Sequence, residues 1–379
     1  MIKEKIKILY ILSTLEKVGP TNQLLYLIKY LDKKVFEPII LTLSPEPENS
    51  NYNSFIKENI KVISINLSRL MGFFLIKGRL NKIINELKPD LVQTLGYRSD
   101  RVKINIDAPK IIILRTSLKG PKTFLIKPVF LGQMIANMLF RWHLSFVMKN
   151  EYVLVCSKSL SEEYFMILKR KYKYIQNGID NQKYIPSSRK FKKELRCKLS
   201  LPLNKKIYIS VGKLNPGKNI DFLVSLFSSW EYLKNSILII LGNGVNIKKI
   251  RKKVENNKNI KLYGQVDKVI SFLQLSDFYI SSSKGEGLPN SVLEGMSIGL
   301  PCLLSDIPAH NEILKNSNAG LLFKNNNIQD FKKKLKELEK LDFNKLSNNS
   351  IKHINKYFSA KIMTKKYQKF YKEVIRYNS

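Results

Sequence analysis

Cysteine, histidine and acidic side chains are scarce in this chain. Its three cysteines, Cys156, Cys197 and Cys302, stand far apart with no Cys-x-x-Cys or Cys/His cluster, which argues against a disulfide framework and against a zinc site, and fits a reducing cytoplasm. No run reaches the roughly eighteen uninterrupted apolar residues of a membrane-spanning helix. Met1 to Lys7 leads into a short strand-like run rather than a cleavable apolar core, so no signal peptide is expected. Seventeen glycines and 14 prolines are too few for collagen-like or low-complexity sequence. With 44% hydrophobic residues, the chain is globular, and 379 residues point to two domains rather than one.

Acid is the most telling shortage. Asp and Glu number 30 against 66 Lys and Arg, a formal charge of +36. Nucleic acid, an anionic membrane or a phosphate-bearing substrate would each suit it, and a coding bias that fills solvated faces with lysine is an equally simple source. No basic helix or aromatic platform of a nucleic-acid-binding module is visible, so no nucleic-acid partner is expected. The segment Ala108 to Asn150 holds no Asp or Glu, but has basic residues from Lys110 to Lys149 interleaved with Phe124, Phe130, Trp142 and Phe146. Monotopic binding to an anionic leaflet needs that pattern, and so does a core helix capped by solvated lysines.

Short apolar runs alternate with helix-length segments. Strands are expected at Ile6 to Leu12, Ile39 to Leu43, Val62 to Leu67, Leu91 to Leu95, Ile111 to Leu114 and Tyr152 to Cys156, with a turn around Gly19 and Pro20 before a helix over Gln23 to Leu31. A polar basic stretch from about Tyr184 reads as a linker. A second series follows at Ile207 to Val211, Ile237 to Leu241, Ile260 to Tyr263, Phe278 to Ser281 and Cys302 to Leu304, and Ile328 to Tyr377 is helical throughout. The fold class is therefore α/β, with two doubly wound, Rossmann-like domains. Residues 1–183 form the first, 184–357 the second, and 358–379 a helix returning to the first.

Ligands of such folds sit beyond the carboxyl ends of the strands. Two strand-to-helix loops there carry candidate chemistry. In Ser281 to Met296, Glu286 follows a strand and Glu294 comes eight positions later, about two turns into a helix that starts near Asn290. Gly285 and Gly287 leave backbone amides open, Pro289 suits a helix start, and the helix N-terminus at Asn290 and Ser291 favours an anion. In Val211 to Asp221, Lys213 and Lys218 flank a turn and can clamp a diphosphate from two sides.

Together these loops resemble the retaining glycosyltransferases of family 4, which have the two-domain GT-B architecture. The pattern runs from Val211-Gly212-Lys213-Leu214 through Glu286-Gly287-Leu288-Pro289 to Glu294 and Gly299-Leu300-Pro301. The resemblance implies that Gly212, Lys213 and Lys218 hold the donor's diphosphate, that Glu294 binds the ribose, and that Glu286 contacts the transferred sugar beside Gly287, Leu288, Pro289 and Asn290. Val266, in Tyr263-Gly264-Gln265-Val266, resembles the base-contacting loop. In the first half, Gly19 resembles the phosphate-approaching glycine loop, and Gln176-Asn177-Gly178-Ile179-Asp180 the stretch before the interdomain linker.

Three positions depart from the pattern. Only one glycine, Gly19, occupies the first loop, Lys213 replaces an arginine, and Leu114-Arg115-Thr116-Ser117 stands where many members carry a histidine, which makes Arg115 the catalytic candidate there. His143, beside Trp142, reads as a packed residue, and neither His310 nor His353 has a ligand-like partner in sequence. The implied activity is metal-independent, retaining transfer from a UDP- or GDP-linked sugar to a saccharide or lipid-linked saccharide in cell-surface polysaccharide biosynthesis. No cofactor is expected beyond the nucleotide-sugar substrate. The implied location is the cytoplasm, with peripheral attachment to the inner face of the plasma membrane. A GT-B-type nucleotide-sugar epimerase and a catalytically idle nucleotide-sugar-binding protein remain as alternatives, the latter because of Arg115.

Overall fold

The computed structural model describes residues 5–102, 104, 107–117, 138 and 152–378. Most of the acid-free segment, including Trp142 and His143, lies outside these residues. Two compact units divide the chain. The first comprises residues 1–115, 122–178 and 360–379, and the second 116–121 and 179–359.

The first unit is built on a parallel sheet of β1 (Ile6–Leu12), β2 (Phe36–Thr42), β3 (Lys61–Ser64), β4 (Leu91–Leu95), β5 (Lys110–Leu114), β6 (Tyr152–Val155) and β7 (Lys173–Tyr174), in the order β3-β2-β1-β4-β5-β6-β7. Every residue of β4 is buried, as expected of a parallel strand covered on both faces. The turn expected at Gly19 and Pro20 is instead the start of the helix Gly19–Tyr30, with Val18 as its N-cap. Proline is favoured in a first helical turn because its missing N–H has no intrahelical partner there.

The helix Ala360–Arg376 also belongs to this unit and contributes Met363, Tyr367, Phe370 and Tyr371 to its core. Its approach requires a glycine: a Cβ on Gly178 would lie 2.7 Å from the Cα of Ala360. Gln23 secures the same peptide, donating to the Gly178 carbonyl and accepting from its N–H, each at 2.9 Å.

The second unit carries β8 (Lys206–Val211), β9 (Ser236–Leu241), β10 (Ile260–Gly264), β11 (Phe278–Ser281), β12 (Cys302–Ser305) and β13 (Gly320–Phe323), all parallel, ordered β10-β9-β8-β11-β12-β13. Chain order reverses between β8 and β11. At such a switch point the loops leaving the two strands diverge to opposite faces and open a crevice. The expected helical end resolves into Ile328–Lys340 and Phe343–Tyr357 here, followed by the closing helix of the first unit.

Candidate functional site

The loops leaving β8 and β11 meet at this switch point. Gly212 stands at the end of β8, and a Cβ on Gly242, after β9, would lie 1.9 Å from the Gly212 carbonyl oxygen; Gly242 also has φ +128°, so only glycine fits. Leu214 N–H donates to Asn243 O at 2.9 Å, which ties the two loops further. The β8 loop then folds back on itself through Asn215, whose side-chain and main-chain oxygens both lie 3.1 Å from the Lys218 N–H.

Hydrogen bonds sew this loop to the one after β11. Lys284 N–H donates to Gly217 O at 2.7 Å, and Ser282 Oγ donates to Asn219 O at 2.9 Å. These contacts place Lys218 Nζ 2.6 Å from Glu286 Oε1, with both side chains largely buried. Ser283 Oγ donates to the same oxygen at 2.7 Å. Burial alone would push the Glu286 carboxyl up, but the Lys218 ammonium and the Ser283 hydroxyl outweigh it and hold the group below its ordinary value.

Glu294 lies in the helix Asn290–Ser297, which follows Pro289. As the fifth residue of that helix it stands little more than one turn in, not the two expected, because no helix forms over Glu286 to Pro289. It is buried, and burial pushes its carboxyl up to about 7 against the hydrogen bond from the Tyr184 side chain and the charges of Lys183 and Lys218. Lys218 thus acts electrostatically on both glutamates. The first turn of the helix is fastened to β11 by the Tyr279 hydroxyl, 2.8 Å from Ser291 Oγ.

The other expected site residues are distributed differently. Lys213 is exposed and has no ion pair among the described residues, whereas Lys218 is turned to Glu286. Gly287, Leu288 and Pro289 are buried, whereas Lys284 is exposed and Gly285, Glu286 and Asn290 are partly open. Val266 is half-buried beyond β10. Gly19 and Arg115 belong to the first unit. There Arg115 Nη1 donates to Asn177 Oδ1 at 2.8 Å, and Tyr367 of the closing helix hydrogen-bonds to Arg115 as well.

One residue of the site escaped the sequence reading. His310, in the helix Pro308–Leu314, is fully buried, and burial pushes its imidazole down to about 4 although Glu286 and the Ser305 carbonyl pull the other way. Its Nδ1 lies 2.8 Å from Ser305 O, and its Nε2 has no hydrogen-bond partner. No sequence spacing signals this contact.

Comparison with known proteins agrees with the arrangement of the second unit. The family model of glycosyl transferases group 1 matches residues 191–357, which include both glutamates, both lysines and His310. Residues 191–357 are thus similar to that family. The chain is 28% identical over 207 residues to the UDP-Gal:alpha-D-GlcNAc-diphosphoundecaprenol alpha-1,3-galactosyltransferase of Escherichia coli, covering 52% of this chain and 53% of that one. The chain thus spans about half the length of that relative. It is 27% identical to the N,N'-diacetylbacillosaminyl-diphospho-undecaprenol alpha-1,3-N-acetylgalactosaminyltransferase of Campylobacter jejuni, over 84% of this chain and 87% of the other. Among solved structures, Anabaena HepE in complex with UDP-glucose superposes with a TM-score of 0.79 at 15% identity, covering 97% of this chain and 99% of that one. That likeness shows the fold, two doubly wound units of the GT-B class.

Proposed function

We propose that this protein is a group 1 glycosyltransferase that moves a hexose-type sugar from a nucleotide-sugar donor to a saccharide or lipid-linked saccharide, with retention at the anomeric carbon and without a metal ion. The observation that carries the reading is Lys218, set between Glu286 and Glu294 at the switch point of the sheet that the group 1 family model matches. A nucleotide sugar presents vicinal hydroxyls and a diphosphate. Carboxylates accept hydrogen bonds from the first, and lysine ammonium groups neutralise the second.

Charge develops on the departing diphosphate during transfer. An exposed Lys213 and the Lys218 ammonium, beside the N-terminus of Asn290–Ser297, supply preorganised positive potential for it, the kind of electrostatics that lowers such a barrier most. In a front-face route the donor phosphate itself takes the acceptor proton, so no protein nucleophile is needed. Ionised Glu294 pairs with the ribose, and Glu286 with the transferred sugar.

The two relatives named above carry undecaprenol-diphosphate in the names of their substrates, which supports a lipid-linked acceptor and a cytoplasmic enzyme working at the inner membrane face in polysaccharide assembly. Among the described residues no helix is long and apolar enough to cross a membrane. The test is a panel of UDP- and GDP-sugars offered with and without undecaprenyl-diphosphate saccharides. One donor should stabilise the fold and release its nucleotide on transfer, in the presence of a chelator, and Glu294→Ala should abolish both effects. Absence of stabilisation by every donor overturns the reading.

A further inference from the structure

Three hydrogen bonds join His310 to Glu286. The Ser305 carbonyl can only accept, so the 2.8 Å contact requires a proton on His310 Nδ1, which leaves Nε2 as the bare nitrogen of the neutral ring. Ser305 Oγ donates to Ser283 O at 2.6 Å. Ser283 Oγ in turn donates to Glu286 Oε1 at 2.7 Å, the oxygen that also meets Lys218.

This chain of contacts crosses from β12 to the loop after β11 through buried groups. Ser283 and Ser305 are both fully buried, and so is the imidazole. A buried polar ring with one unpartnered nitrogen is costly, so the bond made by its other nitrogen is the contact that calls for a role. The direct partner of Glu286 is the Ser283 hydroxyl, but the peptide that aims that hydroxyl is held by Ser305, and Ser305 is held by His310.

We propose that His310 is a positioning residue for Glu286, which it orients through Ser305 and Ser283 by the Nδ1–H donor alone. The ring stays neutral because it is buried beside Lys218, so it adds no charge that would compete for the Lys218–Glu286 pair. Its kinetic consequence rests on the functional reading above; the orientation of Glu286 does not.

Asparagine reproduces the Nδ1 donor of histidine, and glutamine reaches the Nε2 position instead. In His310→Gln and Ser305→Ala the carboxyl carbon signal of Glu286, labelled with carbon-13 and assigned by Glu286→Gln, should move and its titration midpoint should rise. In His310→Asn both should stay at the wild-type values. With the donor selected from the panel, His310→Gln and Ser305→Ala should lower kcat about tenfold or more with KM within about threefold of wild type, and His310→Asn should recover most of the rate. Ser305→Ala keeps the buried ring, so it decides the matter if the His310 variants fail to fold. An unmoved Glu286 signal in Ser305→Ala, or full function in His310→Gln with loss in His310→Asn, overturns the proposal. If the wild-type protein transfers no sugar, the functional reading fails, and the carbon-13 measurement still decides the role of His310.

Discussion

Lys218 and Glu286, contributed by the loops after β8 and β11, form an ion pair of 2.6 Å in which each side chain is more than four-fifths buried, at 18% and 15% exposure. The pair ties the two loops to one another. Breaking a buried pair from one side leaves a desolvated charge behind. Lys218→Met should therefore destabilise the second unit by about 2 kcal/mol and raise the Glu286 carboxyl, because burial is then opposed chiefly by the Ser283 hydroxyl. Urea unfolding and the carbon-13 titration of Glu286 measure the two effects.

Lys213→Ala separates binding from stability. The side chain is exposed and unpaired among the described residues, so unfolding should change by less than about 0.5 kcal/mol. If Lys213 faces the diphosphate as proposed, nucleotide-sugar affinity measured by calorimetry should fall about tenfold. Unchanged affinity would exclude Lys213 from the donor site.

The pH dependence of stability contains two opposing contributions. Glu294 has its folded-state pKa raised to about 7, so between about 4.5 and 7 the folded protein binds the extra proton and this group's contribution falls as pH rises. His310 has its folded-state pKa lowered to about 4, so between about 4 and 6.5 the unfolded chain binds the extra proton and this contribution grows as pH rises. Each amounts to about 3 kcal/mol at most. Glu294→Gln should leave stability rising through pH 4–6.5, and His310→Asn should leave it falling through pH 4.5–7. Unfolding curves of both variants at several pH values check the signs. If the ribose pairs with ionised Glu294 as proposed, donor affinity in the wild type should rise as pH passes about 7.

Gly242→Ala tests the scaffold beneath the site. Its Cβ would sit 1.9 Å from the Gly212 carbonyl oxygen at a backbone φ of +128°, so the loop after β8 must shift. A loss of about 3 kcal/mol or more in unfolding free energy is expected, with loss of donor binding.

Arg115→Ala tests the first unit. Asn177 and Tyr367 lose their charged partner, which should cost about 2 kcal/mol and loosen the closing helix, seen as faster hydrogen exchange over residues 360–376. A rate loss in transfer greater than the stability loss explains would assign Arg115 to the chemistry, and unchanged transfer would leave it structural.

Most strands were legible because parallel strands covered on both faces must be apolar without interruption. The run at β9, Ser236–Leu241, is buried at every position. The edge strands β7 and β13 were missed: Lys173 and Tyr174 are exposed and leave no apolar run at β7, and the apolar run of β13, Gly320–Phe323, is only four residues long, with Phe323 alone fully buried. Glu286 and Glu294 were legible because both stand in one strand-to-helix connection, where local chemistry suffices. The start of the helix at Asn290 was read correctly, but the depth of Glu294 within it was not.

By itself the sequence determined what is local: which runs are strands, which loops carry lysine and glutamate, and that acid is too rare to neutralise the chain's +36 charge. Only the tertiary structure decided which charges meet. Lys218 turns to Glu286 whereas Lys213 stays in solvent, and His310 reaches Glu286 through Ser305 at the end of β12 and Ser283 in the loop after β11. The reason is the strand order β9-β8-β11-β12. Parallel strands become neighbours through crossovers, so the loops they bring together are remote in sequence, and no periodicity within either loop records the meeting.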